Sequence, residues 1–133
     1  MTDTPLPKTL GIRHVALLVS DMRKAEEFYC DVLGYKVEWR PDADNLYLSL
    51  DGRDNLALHK GEARTGDSRL DHFGIALKNA VDVDTWHAHL KAHGATIVKE
   101  PKTHRDGARS FYTKDPDGNV LQFIHHPPIS DRA

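Results

Sequence analysis

Two histidines, His14 and His72, stand 58 residues apart in stretches that read alike, IRHVALLVS and LDHFGIALK. An imidazole nitrogen is a good ligand for first-row divalent ions, and Fe, Mn, Zn, Ni and Co all suit a pair of them. In an extended chain residues i and i+2 share a face. The same-face neighbours are therefore Ala16 after His14, and Gly74 and Ala76 after His72. Small side chains there leave room beside both rings. A third group is Gln122 in the middle of VLQFIH, on the face opposite Leu121 and Phe123. A primary amide buried without a partner costs about 1–3 kcal/mol, so Gln122 needs a metal, a ligand or a backbone group to bond. His59 ends LALH, where alternation sends Leu56 and Leu58 one way and Ala57 and His59 the other. It is a candidate fourth ligand, an acid/base group or a surface residue. Ser110 and Tyr112 share one face of the segment before Gln122.

These groups need a scaffold, and its elements follow from hydrophobic periodicity. Residues 12–20 alternate as a strand, with Val15, Leu17 and Val19 on one face and Ile12, His14, Ala16 and Leu18 on the other. Ser20 or Asp21 caps a helix whose stripe is Ala25, Phe28, Tyr29, Val32 and Leu33, stopped by Gly34. Strands are predicted over 35–40, 46–50 and 56–59. Residues 61–69 are polar with two glycines and read as a linker. The pattern then restarts: a strand over 70–78, then a helix opened by Asp82 or Asp84, with Val83, Trp86 and Leu90 inward and Gly94 at its end. A strand over 96–100 follows, and a hairpin of 110–114 and 120–125 turns on DPDGN.

Phe28 and Trp86 are also 58 residues apart. Strand, helix and three strands thus occur twice in one register. The pattern predicts an α+β fold of two βαβββ modules, whose curved mixed sheet surrounds a cavity with the helices on its outer face. Residues 1–10 form a flexible lead-in and 11–126 a single domain, with modules over 11–61 and 70–126. Residues 127–133, with two adjacent prolines, form a tail of little order.

Composition excludes several functions. A chain of 133 residues holds one domain with a real core. Its 18 basic and 20 acidic side chains give a net charge of −2, and the basic residues are scattered, so neither nucleic acid nor an anionic membrane is an expected partner. The single cysteine, Cys30, excludes an intramolecular disulfide and a cysteine-based zinc cluster. It falls within the helical pattern as a small helix residue. No apolar run is long enough to span a bilayer, and MTDTPLPKTL lacks a signal-peptide core, so a soluble cytoplasmic protein is expected. Of the nine histidines, His87, His89 and His93 are expected on a solvated helix face, and His125 and His126 carry no assigned role.

From Arg13 to His125 the chain resembles the vicinal oxygen chelate superfamily. That family includes glyoxalase I, extradiol ring-cleavage dioxygenases, fosfomycin-resistance transferases, methylmalonyl-CoA epimerase and bleomycin-resistance proteins. The resemblance rests on RHVALLVSDMRKAEEFYCDVLGY, LDHFGIAL and SFYTKDPDGNVLQF. It implies a divalent metal ion held by His14, His72 and the residue three after the Asn of DPDGN. The family has glutamate there, and this chain has Gln122. A neutral amide leaves the ion its full charge, binds it less tightly and leaves a two-histidine, one-carboxylate set without its carboxylate.

The string FYTKDPDGNVLQ, with His104 upstream, is similar to the extradiol dioxygenase signature and departs from it at Gln122 and Lys102. It implies that Tyr112 contacts substrate, with Ser110 beside it. Glyoxalase-like members place a ligand glutamate on the fourth strand, where the best register sets Ala57 and puts His59 one pleat further on. Ala16 stands where fosfomycin-type enzymes have threonine. The expectation is a metal-dependent enzyme acting on a small oxygen-chelating substrate, with a catechol-type dioxygenase the best match and a glyoxalase-type lyase or isomerase second. The alternative is a metal-free, bleomycin-resistance-like binding or sequestering protein. A small-molecule substrate and a homodimer are also implied.

Overall fold

The computed structural model describes residues 8, 10–62 and 70–131. Most of the expected lead-in and linker lies outside the described residues. The elements run β1 (His14–Val19), α1 (Met22–Glu26, continued as a π-helix over Glu27–Val32), β2 (Lys36–Asp42), β3 (Asn45–Ser49) and β4 (Asn55–Lys60). They continue with β5 (Phe73–Ala76), α2 (Ala80–Ala92), β6 (Thr96–Thr103), β7 (Arg109–Lys114), β8 (Val120–His125) and α3 (Pro127–Ser130).

The internal repeat is a structural one. Two four-stranded sheets have the same order, β1-β4-β3-β2 and β5-β8-β7-β6. In each, the first and last strands of the module pair parallel and the other neighbours pair antiparallel, so both sheets are mixed. Period-two burial sorts the strand faces. Leu17 and Val19 of β1, and Leu121 and Phe123 of β8, go into the core, while His14, Ala16, Gln122 and Ile124 stay exposed or half-buried. The buried side chains of both modules join in one cluster that also takes Tyr29 and Leu33 from the first helix and Val83 and Leu90 from α2. Each large aliphatic side chain so buried contributes about 1.5–3 kcal/mol.

Asp21 caps α1, accepting the Lys24 N–H at 3.1 Å, and Gly34 ends the helical stretch at φ +88°. The stretch departs from a simple α-helix after Glu26. Leu33 N–H bonds Phe28 O at 3.0 Å, an i→i+5 spacing that re-aims Phe28 and Tyr29, and both are buried.

Other boundaries moved for local reasons. β5 covers only Phe73–Ala76, and its ladder begins at Phe73 opposite Leu121, so His72 sits just before the strand. β6 runs on to Thr103 through Pro101, which is tolerated because β6 is the outer strand and a register shift between Lys99 and Lys102 spans the proline. α2 is opened by Asn79, with Asp82 as the third helical residue of a capping box. The tail is more ordered than expected. Pro127–Ser130 form a helical turn with proline in its first turn, and the Ser130 hydroxyl donates to Leu77 O at 2.7 Å and accepts the His126 N–H at 3.1 Å. His89 is not part of a solvated face either: its Nε2 lies 2.8 Å from Val32 O at the end of the first helix.

Candidate functional site

β1 and β5 are the strands at which the two sheets meet a shared cavity of about 550 Å³, lined by His14, Asn55, His72, Gly74 and Ala76 among others. That size suits a small ligand. His14 is held there by the parallel pairing of β1 and β4, which sets it opposite Asn55, and its Nδ1 lies 2.7 Å from Asn55 Oδ1. Asn55 is fixed in turn, its Nδ2 donating to Glu38 Oε1 at 3.1 Å. An amide oxygen only accepts, so His14 carries its proton on Nδ1 and presents a bare Nε2. His72 has the same arrangement with a different partner: Nδ1 is 2.6 Å from Asp71 Oδ2. Among the described residues neither Nε2 has a hydrogen-bond partner. Orienting a ligating histidine through its other nitrogen is how metal sites fix ring and tautomer.

Gln122 is half-buried rather than enclosed, and its partner is a side chain. Nε2 donates to the Tyr112 hydroxyl at 3.0 Å across the β7–β8 ladder, where the two residues face each other. The Tyr112 ring meets His72 edge-on at 5.1 Å between centroids. Gly74 pairs with Gln122, and a Cβ on Gly74 would stand 3.9 Å from Gln122 Oε1. Glycine at 74 therefore keeps the space in front of that oxygen clear. Gln122 and Tyr112 do not line the cavity; they join it through His72 and Gly74.

Pairing also fixes the equivalence of the modules. Ala16 faces Ala57 and its counterpart Gly74 faces Gln122, so Ala57 occupies in the first module the position Gln122 holds in the second. His59 lies two residues further along β4, about 13 Å from the level of Asn55 and His14. Its Nδ1 is 2.6 Å from Asn45 Oδ1 and its ring packs on Tyr47, away from the His14–His72 cavity. Ser110 shares the Tyr112 face but is 2% exposed, and its Oγ has no hydrogen-bond partner among the described residues. Asn55 and Asp71, which aim the two imidazoles, were absent from the sequence reading. Asp71 adjoins a histidine and was open to notice; Asn55 becomes visible only with the β1–β4 register.

Among the described residues no three His, Cys, Asp or Glu side chains gather at one point. The candidate donors are two imidazoles on the cavity and an amide oxygen beside it, each with its other polar atom occupied. They are donor types that a divalent ion takes, but they bring no carboxylate.

Two βαβββ modules, with mixed sheets under outer helices, define a class of α+β proteins built on a repeated unit. The chain belongs to the Glyoxalase/Bleomycin resistance protein/Dioxygenase superfamily, which it matches over residues 11–123. It is 29% identical to a 2,2',3-trihydroxybiphenyl dioxygenase of Sphingomonas paucimobilis over 84% of this chain and 40% of that protein. It is 27% identical to a catechol-2,3-dioxygenase of Bacillus subtilis over 96% of this chain and 45% of that protein. The chain thus spans less than half the length of these curated relatives. An integron cassette protein from the mobile metagenome of a Halifax Harbour sewage outfall shares the fold, with a TM-score of 0.76 at 22% identity, covering 88% of this chain and 99% of that one. No helix among the described residues is long and apolar enough to cross a membrane.

Proposed function

We propose that the protein is a metal-dependent enzyme for a small substrate with two neighbouring oxygens, with ring cleavage of a catechol-type compound as the first reaction to assay. His14 Nε2, His72 Nε2 and Gln122 Oε1 would hold a divalent ion. Bound there, the ion supplies a Lewis acid for both substrate oxygens and a template for substrate and O₂. The observation that carries this reading is the pair of imidazoles on one cavity, each tied at Nδ1 and open at Nε2. A cavity that only bound an apolar molecule would have no use for that orientation. Tyr112 supplies a proton: its oxygen already accepts from Gln122, so its own O–H is left to donate to a substrate oxygen. Gly74 and Ala76 keep the approach to the rings open.

Metal analysis of protein purified without a histidine tag tests the reading. A stoichiometric divalent ion that disappears in His72→Ala supports it, and a metal-free protein with intact fold overturns it. Anaerobic loading with Fe(II), followed by catechol and O₂, then separates ring cleavage, seen as a yellow product, from a glyoxalase-type reaction. The second reading is a metal-free binding protein on the same fold. Gln122 favours it, because a neutral amide bonded to Tyr112 is satisfied without a metal.

A further inference from the structure

The charged side chains of the second sheet are sorted by face. Glu100 and Arg109 turn toward α2, where Glu100 Oε2 lies 2.6 Å from His87 Nε2 and Arg109 is paired with both oxygens of Asp84 at 2.6 and 2.9 Å. The other three charges of β6–β8 are Lys99, Lys102 and Lys114, and all lie on the helix-free face. Lys99 pairs in register with Tyr112, and Lys102 with Ser110. Lys114 follows Tyr112 by two residues on β7 and faces Val120. These are the face-mates of Gln122 and Ile124. Lys99 Nζ lies 5.3 Å from the centre of the Tyr112 ring, and none of the three lysines has a carboxylate partner among the described residues.

Three unpaired ammonium groups on one sheet face set up a positive field that gathers anions. Sorting them away from the charges on the helix side places that field beside the Tyr112 ring, where Lys99 is the lysine in contact. We infer that this wall attracts the anionic group of the ligand, so that the substrate is a small acid whose carboxylate or phosphate lies beside Lys99 at the Tyr112 ring, with Lys102 and Lys114 adding to the field from either side, while its remaining oxygens point to Tyr112 and the histidines. Lysine acts here as a mobile point charge, which suits either anion. The inference rests on the proposed function, with the substrate held at His14, His72 and Gln122.

Calorimetric titration of the full chain with 3,4-dihydroxybenzoate, and with catechol as its uncharged counterpart, tests it in zinc-supplemented and metal-stripped protein. We expect the acid to bind about tenfold more tightly than catechol at low salt, and the preference to fade as NaCl is raised. In the triple variant Lys99→Gln, Lys102→Gln, Lys114→Gln the two ligands should bind alike. Single Lys99→Gln and Lys102→Gln variants, each checked by thermal melting, should lose part of the preference and cover the case of a poorly folded triple variant. Competition by inorganic phosphate identifies a phosphate-type anion, and its failure to compete a carboxylate. Equal affinity for acid and catechol in the wild type, or a preference that survives the lysine substitutions, overturns the inference. A lysine-dependent preference in protein that takes up no zinc upholds it and overturns the metal reading; zinc uptake without the preference does the reverse.

Discussion

The Tyr29 hydroxyl donates to Asp115 Oδ2 at 2.7 Å, a buried bond that fastens the first helix to the β7–β8 turn of the other module. Asp115 is the organiser of that turn. Its Oδ1 accepts the N–H groups of Asp117 and Asn119 at 2.9 and 2.8 Å, and its Oδ2 also accepts Asn119 Nδ2 at 2.8 Å. The turn precedes β8 and so sets the register in which Gln122 meets Tyr112 and Gly74. Tyr29→Phe keeps the ring and removes the donor, leaving a buried carboxylate oxygen one partner short. It should cost about 1–3 kcal/mol of stability, read as a lower urea midpoint at unchanged slope. An unchanged midpoint would mean that the modules do not depend on this bond.

Alkaline pH should find the same weakness. Burial, reinforced by the charge and hydrogen bond of Asp115, pushes the Tyr29 phenol well above its ordinary value. Burial and the charges of Asp54 and Asp51 raise Tyr35 as well. Above the ordinary phenol pKa the unfolded chain releases these protons while the folded chain keeps them, so stability falls as pH rises. Urea midpoints should stay level up to about pH 9.5 and drop beyond pH 10, the usual phenol value. The drop should be shallower in Tyr35→Phe.

How far the sequence carries can be judged from the same residues. The 58-residue register shared by His14 and His72 gave both modules, because a repeated alternation of faces is a local signal. The displaced features depend on pairing, which is not local. β5 starts at Phe73 because its ladder with β8 starts there, and Pro101 sits inside β6 because that strand lies at the sheet edge. By alternation His59 and Ser110, like Tyr112, fall on the cavity-side faces of their strands. Alternation gives the face but not the depth along it, and His59 is tied to Asn45 while Ser110 is covered.

Asn55 should be a positioning residue for His14. Asn55→Ala removes the acceptor that holds Nδ1, freeing the ring to turn and to change tautomer. Loss of such an orienting partner weakens metal affinity by about 10–100-fold. Zinc titration against a competing chelator reads that loss directly. Asn55→Asp keeps an acceptor oxygen for Nδ1 but loses the bond to Glu38 and meets its carboxylate, so it should restore only part of the affinity. A merely structural role for Asn55 predicts a lower melting temperature with metal affinity intact.

Gly74→Ala separates fold from site. The added methyl would meet Ile124 Cγ2 at 3.7 Å, Gln122 O at 3.8 Å and Gln122 Oε1 at 3.9 Å, which are ordinary contacts. The fold should accept it, with stability within about 1 kcal/mol of the wild type. The methyl nevertheless fills the space in front of the Gln122 amide oxygen. Metal and ligand affinity should therefore fall while the melting temperature holds. Equal affinity in both proteins would show that nothing binds in front of that oxygen.

Gln122→Glu is the most direct trial of the ligand set. The substitution preserves length and shape, and the bond to Tyr112 survives by reversal, with the phenol donating to the carboxylate where the amide now donates to the phenol. What changes is the charge presented beside His72 and Gly74. Even fully screened by water, a carboxylate at ligand distance from a dication is favourable by more than about 1.4 kcal/mol. Metal affinity should accordingly tighten at least about tenfold, measured by the same chelator competition. The variant would also complete the two-histidine, one-carboxylate set that suits Fe(II) and O₂. Unchanged affinity would remove Gln122 from the ligand set and leave its amide as a support for Tyr112, the arrangement a metal-free binding protein would have.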